Sequence, residues 1–338
     1  MTPAGPTQNQ LAAPAAETSE FSRSCAHPDP VAAPMRPVIR LFLRMWARTG
    51  RKSSRHYRLV QKWGPRLATA PLPSRLPNGC DIDCDLTEYV QRQIYFLGVF
   101  EAVESFLFTR LLKPGHVVAD VGANVGQYTL LAATAVGPAG AVHSFEPVPS
   151  TYATLLDNIN RNHLTNVSAN RAALMHQPAT IALGRAPEMI GNLGSFSIGF
   201  ADMKSGVVQA SAWTLDDYAA RKGIDRIDLI KMDIQGAEPF ALRGGQRIVE
   251  HSRPILLMEV HRPSLERVGS SPEALWKDLD ALGYRAWRIG VSLRTSGPQA
   301  NLDGVDFANF LFHTEDLPPE ITTGWERRTP KRWACSGW

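Results

Sequence analysis

The rhythm of apolar and polar positions changes several times along the chain, and each change marks an element. In residues 36–48 arginine recurs every fourth position, at Arg36, Arg40, Arg44 and Arg48. Val38, Ile39, Leu41, Phe42, Leu43, Met45 and Trp46 fall outside that stripe at about 100° per residue, which predicts a short amphipathic helix. Thr87 to Leu112 keeps apolar residues at helical spacing with few breakers and reads as one helix, ended by Lys113-Pro114-Gly115. A short buried strand at Val117–Ala119 follows, then a helix at Tyr128–Ala135, a strand at Ala141–Phe145 and a helix at Thr151–Asn162. Further strands are expected at Asn166–Ala173, Ile227–Met232, Ile255–Val260 and Phe307–Phe312, with a helix at Pro272–Leu282. Strands alternating with helices predict an α/β fold with a mostly parallel sheet.

Composition and charge add boundaries. With 44% hydrophobic and 20% charged residues the chain suits a globular protein, and no apolar run approaches the ~18 residues a membrane-spanning helix needs. Residues 1–35 are rich in Pro, Ala, Ser and Thr without an apolar period and are expected to be a disordered tail; Met35 is a candidate for the true start. Residues 31–80 hold eleven Lys or Arg and no Asp or Glu, so against a total of +4 the remainder carries −7. That sets apart a basic segment, 36–84, with a surface role of its own. The preferred reading packs its first helix on the body with solvated arginines; the alternative lays it on an anionic membrane surface. A catalytic domain is expected over 85–315 and a C-terminal tail over 316–338. Cys25, Cys80, Cys84 and Cys335 are too scattered for a zinc site, and free thiols point to the cytoplasm.

The stretch VVADVGANVGQY, Val117 to Tyr128, reads as a strand entering a glycine turn. A dinucleotide site wants a middle glycine where Asn124 stands, and no Gly-Lys-Ser/Thr follows for a nucleotide phosphate. Asp120 would repel a phosphate and attract an ammonium group. Glu146, at the end of the next strand, can accept hydrogen bonds from ribose hydroxyls. With Gly122, Asn124 and Gly126 these residues describe a site for S-adenosylmethionine. Later, Ile227–Gly245 delivers Asp233 to a strand end, where open α/β sheets bind ligands. Lys231 shares its side of the strand and is expected to pair with a neighbouring acid. Glu259 and His261 end another strand on one side.

Together DVGANVGQYTLL, FEPVPSTYATLLDNI, TLDDY, LIKMDIQGAE and PILLMEVH resemble the FkbM-type methyltransferases, with support from IYFLGVFE and NFLFH. The resemblance covers roughly residues 85–313. It implies a Rossmann-like class I methyltransferase fold with a mostly parallel seven-stranded sheet, and S-adenosylmethionine-dependent O-methylation of a hydroxyl on a sugar, glycan or natural product. At Gln235 the family commonly has an acid. An alcohol is a poor nucleophile at neutral pH, so a base within reach is expected. His261 is the first candidate, with Asp233 and Glu259 the others. The two acids could instead bind a divalent metal, but metal independence is the expectation. The Gly/Ser-rich stretch Gly191–Gly199 is expected to line an acceptor pocket, with Asn192 and Ser195 as contacts. An RNA 2′-O-methyltransferase is the alternative, disfavoured because the basic segment offers no base-stacking platform; an inactive membrane-associated scaffold is a third reading.

Overall fold

The computed structural model describes residues 31–48, 54–185, 195–200, 206–290, 294–296, 306–317 and 321. The basic segment forms helices α1 (Met35–Arg48) and α2 (Ser54–Trp63) and a hairpin, β1 (Leu72–Arg75) with β2 (Asp81–Cys84). The expected long helix is two: α3 (Tyr89–Leu97) and α4 (Ala102–Leu111). Gly98 ends the first at φ 91, and Glu101 sits at φ 49 ahead of the second. Helical spacing continues across the break, so periodicity could not reveal it. Gln127 holds the break in place: its amide accepts from Phe100 N–H and donates to the Phe100 carbonyl, at 2.7 and 2.9 Å.

The chain then winds as β3 (Val117–Val121), α5 (Gln127–Val136), β4 (Ala141–Phe145), α6 (Pro149–Arg161) and β5 (Val167–Asn170). A three-stranded sheet is inserted next, with β6 (Ala173–Leu174), β7 (Ala179–Leu183) and β8 (Val208–Trp213) in the order β6-β8-β7. The stretch expected as one strand over Asn166–Ala173 is therefore divided. Val167–Asn170 pairs with β4, and only its last residue, Ala173, pairs with β8. The winding resumes with α7 (Leu215–Lys222), β9 (Leu229–Met232), α8 (Glu238–Gly244), α9 (Gln246–Ser252), β10 (Ile255–His261), α10 (Arg262–Arg267) and α11 (Pro272–Ala281). The last strands are β11 (Arg285–Arg288), β12 (Arg294–Ser296) and β13 (Phe307–His313).

Among the described residues the main sheet has the order β12-β11-β13-β10-β9-β3-β4-β5. β13 runs antiparallel between β10 and β11, and short β12 extends the expected seven strands at the β11 edge. From β3 the chain moves outward through β4 to β5, then crosses to β9 and β10 on the other side. That reversal puts the switch point between β3 and β9, where such sheets open a ligand crevice at the carboxyl ends of the strands. One apolar layer packs Ala119, Met232, Met258, Tyr218 and Phe310 on one face of the sheet; Val118, Val142, Leu131 and Phe108 fill the other.

The basic segment shares a core with the body. Leu43, Val60, Leu67 and Ile82 are buried with Ile94, Phe96, Val125 and Leu130. In TLDDY, Thr214 caps α7 by accepting from Asp217 N–H at 3.0 Å, and Asp216 caps α9 by accepting from the Arg247 and Ile248 amides. This motif holds the framework together.

Candidate active site

The glycine turn after β3 is fastened to the end of β4. The N–H groups of Gly122 and Ala123 both donate to the Phe145 carbonyl at 3.0 Å. Gly122 takes φ +80, and a Cβ there would lie 2.2 Å from the Asp233 carbonyl oxygen. Only glycine lets β3 and β9 deliver their ends so close together. Asn124 stands at φ 50, a conformation its short polar side chain tolerates, and its Oδ1 accepts from Val125 N–H at 2.7 Å. This is why the turn closes without the middle glycine of a dinucleotide site.

Glu146 is held by the same turn. Its carboxyl accepts from Asn124 N–H at 3.0 Å and Val148 N–H at 2.9 Å. Burial pushes its pKa up to about 7, against the pull of those two amides. Both oxygens keep lone pairs for further donors.

Across the cavity lies a group of carboxylates around one ammonium. Lys231 pairs with Asp233 at 3.5 Å, as expected from sequence, and stands 4.8 Å from the centre of the Tyr128 ring. Burial alone would push the Lys231 pKa down, but Asp233, Asp120, Glu101 and Glu259 outweigh it and keep the ammonium charged. Gln235 donates to Asp233 at 3.0 Å and to Glu259 at 2.6 Å, bridging the two carboxyl groups. Burial, then the charges of Asp233 and Glu101, push Glu259 well above its ordinary value. Burial acts on Asp233 too, but Lys231 and hydrogen bonds from Glu259 and Gln235 outweigh it and hold it low. The two shifts run in opposite directions, so Asp233 is the stronger acid of the pair and Glu259 the weaker. Beside them Glu101 accepts from Tyr128 Oη–H at 2.9 Å and from Asn309 Nδ2–H at 3.1 Å; Asn309 also donates to Glu104 at 3.2 Å. Burial and then the neighbouring charges of Glu104 and Asp233 push Glu101 up to about 8.

His261 is fixed by a 2.7 Å hydrogen bond between Nδ1 and Ser264 Oγ. Burial and then Arg267 lower its pKa, so the ring is neutral at pH 7. With Nδ1 engaged, Nε2 is the nitrogen left for a substrate proton.

One cavity of about 820 Å³ joins these parts. Gly122, Asn124, Glu146, Asp233, Glu259 and His261 all line it. Asp120 and Gly126 do not. The expected direct contact of Asp120 with a ligand ammonium is therefore corrected. Asp120 is fully buried, with one oxygen accepting from Thr129 Oγ1 at 2.6 Å and the other without a hydrogen-bond partner among the described residues. Helix α5 covers it, and its charge acts on the cavity through Lys231. Gly126, at φ +98, starts α5 under Leu155. Asn192 lies outside the described residues, whereas Ser195, Phe196 and Ile198 line the cavity. So do His56, Tyr57 and Val60 of α2.

Sequence reasoning missed Glu101, Glu104, Gln235 and Asn309. Glu101 and Asn309 stood in the segments IYFLGVFE and NFLFH, but nothing in their spacing linked them across more than two hundred residues. Among the described residues no group of three or more His, Cys, Asp or Glu has the geometry to hold a metal ion.

Residues 120–286, which contain the turn, Glu146, the Asp233–Glu259 pair and His261, match the family described as the Methyltransferase FkbM domain. Just under half of the chain is thus similar to the FkbM methyltransferases. It is 28% identical over 200 residues to 31-O-demethyl-FK506 methyltransferase FkbM of Streptomyces tacrolimicus, covering 50% of this chain and 74% of that one. Methyltransferase 1 of Beauveria bassiana is 27% identical over 143 residues, and the match spans only 57% of that protein's length and 38% of this chain. The 2-O-methyltransferase NoeI of Sinorhizobium fredii is 27% identical over 153 residues, 42% of this chain and 63% of its own. The crystal structure of methyltransferase FkbM from Methylobacillus flagellatus superposes with a TM-score of 0.38 at 15% identity, covering 67% of this chain and 55% of that one. The α1–β2 segment precedes the matched residues in sequence, yet α2 lends the FkbM domain part of its cavity wall.

Proposed function

We propose that the protein is an S-adenosylmethionine-dependent O-methyltransferase acting on a hydroxyl of a sugar, glycan or natural product. The observation that carries this reading is the single cavity that brings Glu146 and the glycine turn opposite Asp233, Glu259 and His261. The donor set fits the cofactor. A carboxylate fastened by two backbone amides suits two ribose hydroxyls, and a wall of four carboxyl groups, Glu101, Glu104, Asp233 and Glu259, around one lysine suits a ligand bearing a sulfonium and an ammonium. Two of the relatives are named as O-methyltransferases or as acting at an O-demethyl position, which supports a hydroxyl acceptor.

When bound, the cofactor supplies an electrophilic methyl group. The chain supplies alignment, a closed site and a place for the alcohol's proton. Glu146 and the turn at Gly122–Asn124 orient the nucleoside end. Lys231, held by Asp233, keeps the acid cluster from repelling itself. Neutral His261 accepts the acceptor's proton at Nε2, with the Asp233 carboxylate as the second candidate. Glu259, the weaker acid of the pair, serves to hold Asp233 in place. Metal independence remains our expectation. The acidic wall disfavours an RNA backbone, and the retained Glu146, Asp233 and Lys231 argue against an inactive scaffold.

We take residues 85–315, with α2 as a supplementary wall, as the catalytic unit, and place it in the cytoplasm. Cys80 and Cys84 are free and buried, and among the described residues no helix is long and apolar enough to cross a membrane. Titration calorimetry with S-adenosylmethionine tests the reading. Clear binding that Glu146→Ala weakens at least about tenfold is expected, the loss of hydrogen bonds to a buried carboxylate. No heat with the intact protein overturns it.

A further inference from the structure

Helix α1 is packed the opposite way from the sequence expectation. Arg36, Arg40 and Arg44 turn inward. Arg36 donates to the Val31 carbonyl at 2.7 Å, Arg40 to the Leu67 carbonyl at 3.0 Å, and Arg44 stands 4.7 Å from the centre of the Tyr95 ring. Leu43 and Ala47 are buried beneath it. Met35, Val38, Leu41, Phe42 and Met45 face outward, each 56–67% exposed. Among the described residues only Phe307 joins them as an exposed large apolar side chain. The five form one stripe at helical spacing, a face that costs solvation free energy unless something covers it.

We propose that this face docks peripherally on an anionic lipid surface. Charge decides between occupants. Residues 31–80 carry eleven cationic side chains and no acidic one; with Arg36, Arg40 and Arg44 engaged inward, the surface charge comes from the others. Arg55 and Lys62 are exposed on α2, which is tied to α1 by a 2.9 Å hydrogen bond between His56 Nε2 and the Leu43 carbonyl. A second copy would bring two such basic segments together and repel itself. Residues 1–30 supply only Met1, Leu11 and Phe21 as large apolar side chains, ten positions apart and too sparse to cover five. Anionic lipid satisfies both features, the apolar stripe by insertion among acyl chains and the cations by headgroup charge. Because α2 also lines the catalytic cavity, the docked surface lies one helix away from it.

The test is sedimentation of the full chain with vesicles of phosphatidylglycerol and, in parallel, of phosphatidylcholine. The expected result is cosedimentation with the first and little with the second, weakened by salt. The double variant Leu41→Gln, Met45→Gln keeps the charge and, at exposed positions, the fold, which thermal melting followed by circular dichroism checks. It should lower the partition on the order of tenfold. Undiminished partition of that variant overturns the proposal. So does failure of the intact chain to bind phosphatidylglycerol, or a dimer in sedimentation velocity that the variant dissolves, which would assign the face to a second copy.

Discussion

Replacing Gly122 by alanine tests how the glycine turn shapes the cavity, and Gly126→Ala is its control. Both glycines have positive φ, +80 and +98, so alanine at either pays about 1–2 kcal/mol for the left-handed backbone. The surroundings differ. The new Cβ at 126 would meet Leu155 Cδ1 at 2.7 Å, the tip of a side chain that can turn aside for about 0.5–1.5 kcal/mol. At 122 it would meet the Asp233 backbone, oxygen at 2.2 Å and carbon at 3.1 Å. That carbonyl cannot rotate away alone, because Ile234 N–H, in the same peptide plane, donates to Glu238 Oε1 at 3.0 Å. Relief requires the ends of β3 and β9 to separate, an overpacking cost of about 1–3 kcal/mol beyond the φ term. Gly122→Ala should therefore lose about 2–5 kcal/mol of stability and about 5–15 °C of melting temperature. It should also weaken S-adenosylmethionine more than Gly126→Ala does, since Gly122 and Asp233 line the cavity and Gly126 does not. Equilibrium denaturation and calorimetry measure the two quantities on the same preparations. If Gly122→Ala stays within about 0.5 kcal/mol of the parent, or if Gly126→Ala is the more damaging in both assays, the close approach of the two strands does not govern the site.

Two further outcomes follow from the buried acids and from His261. Glu101 at about 8, and Glu146 and Glu238 each at about 7, bind protons in the folded state that the unfolded chain releases near 4.5. The sign is thus a loss of stability as pH rises from about 4.5 to about 7–8, on the order of 3 kcal/mol each for the well-buried Glu146 and Glu238; cofactor-free thermal melts that instead rise across this window would refute it. His261→Ala should lower kcat by about 10²–10⁴-fold with cofactor affinity unchanged. In the parent, kcat/KM should fall in acid through a pKa below the ordinary histidine value of 6.5, because burial and Arg267 disfavour the imidazolium; full turnover by the variant would pass the base role to Asp233.

Much of the framework was legible because it is written locally. The strand-turn-helix of Val117–Val136, the strand ends at Glu146, Asp233 and His261, and the α/β alternation depend on period, glycine and proline, which act within a few residues of themselves. Gly98 could have been read as the end of a helix, but the apolar spacing ran through it and hid the break that places Glu101. Asp120 was read by its position at the strand end. Its burial depended on Thr129 coming down from α5, a contact that the distance along the chain does not announce.

The sequence by itself determined the parallel sheet, the glycine turn and the set of acids at the carboxyl ends of its strands, since each follows from residue type and short-range geometry. Only the tertiary structure decided which of those acids hold their protons more tightly, because that depends on separations between strands distant in sequence. Tertiary structure likewise turned Arg36, Arg40 and Arg44 of α1 inward and left the stripe of Met35, Val38, Leu41, Phe42 and Met45 open. Periodicity gives a helix two faces, and only the surface it packs against decides which one is buried.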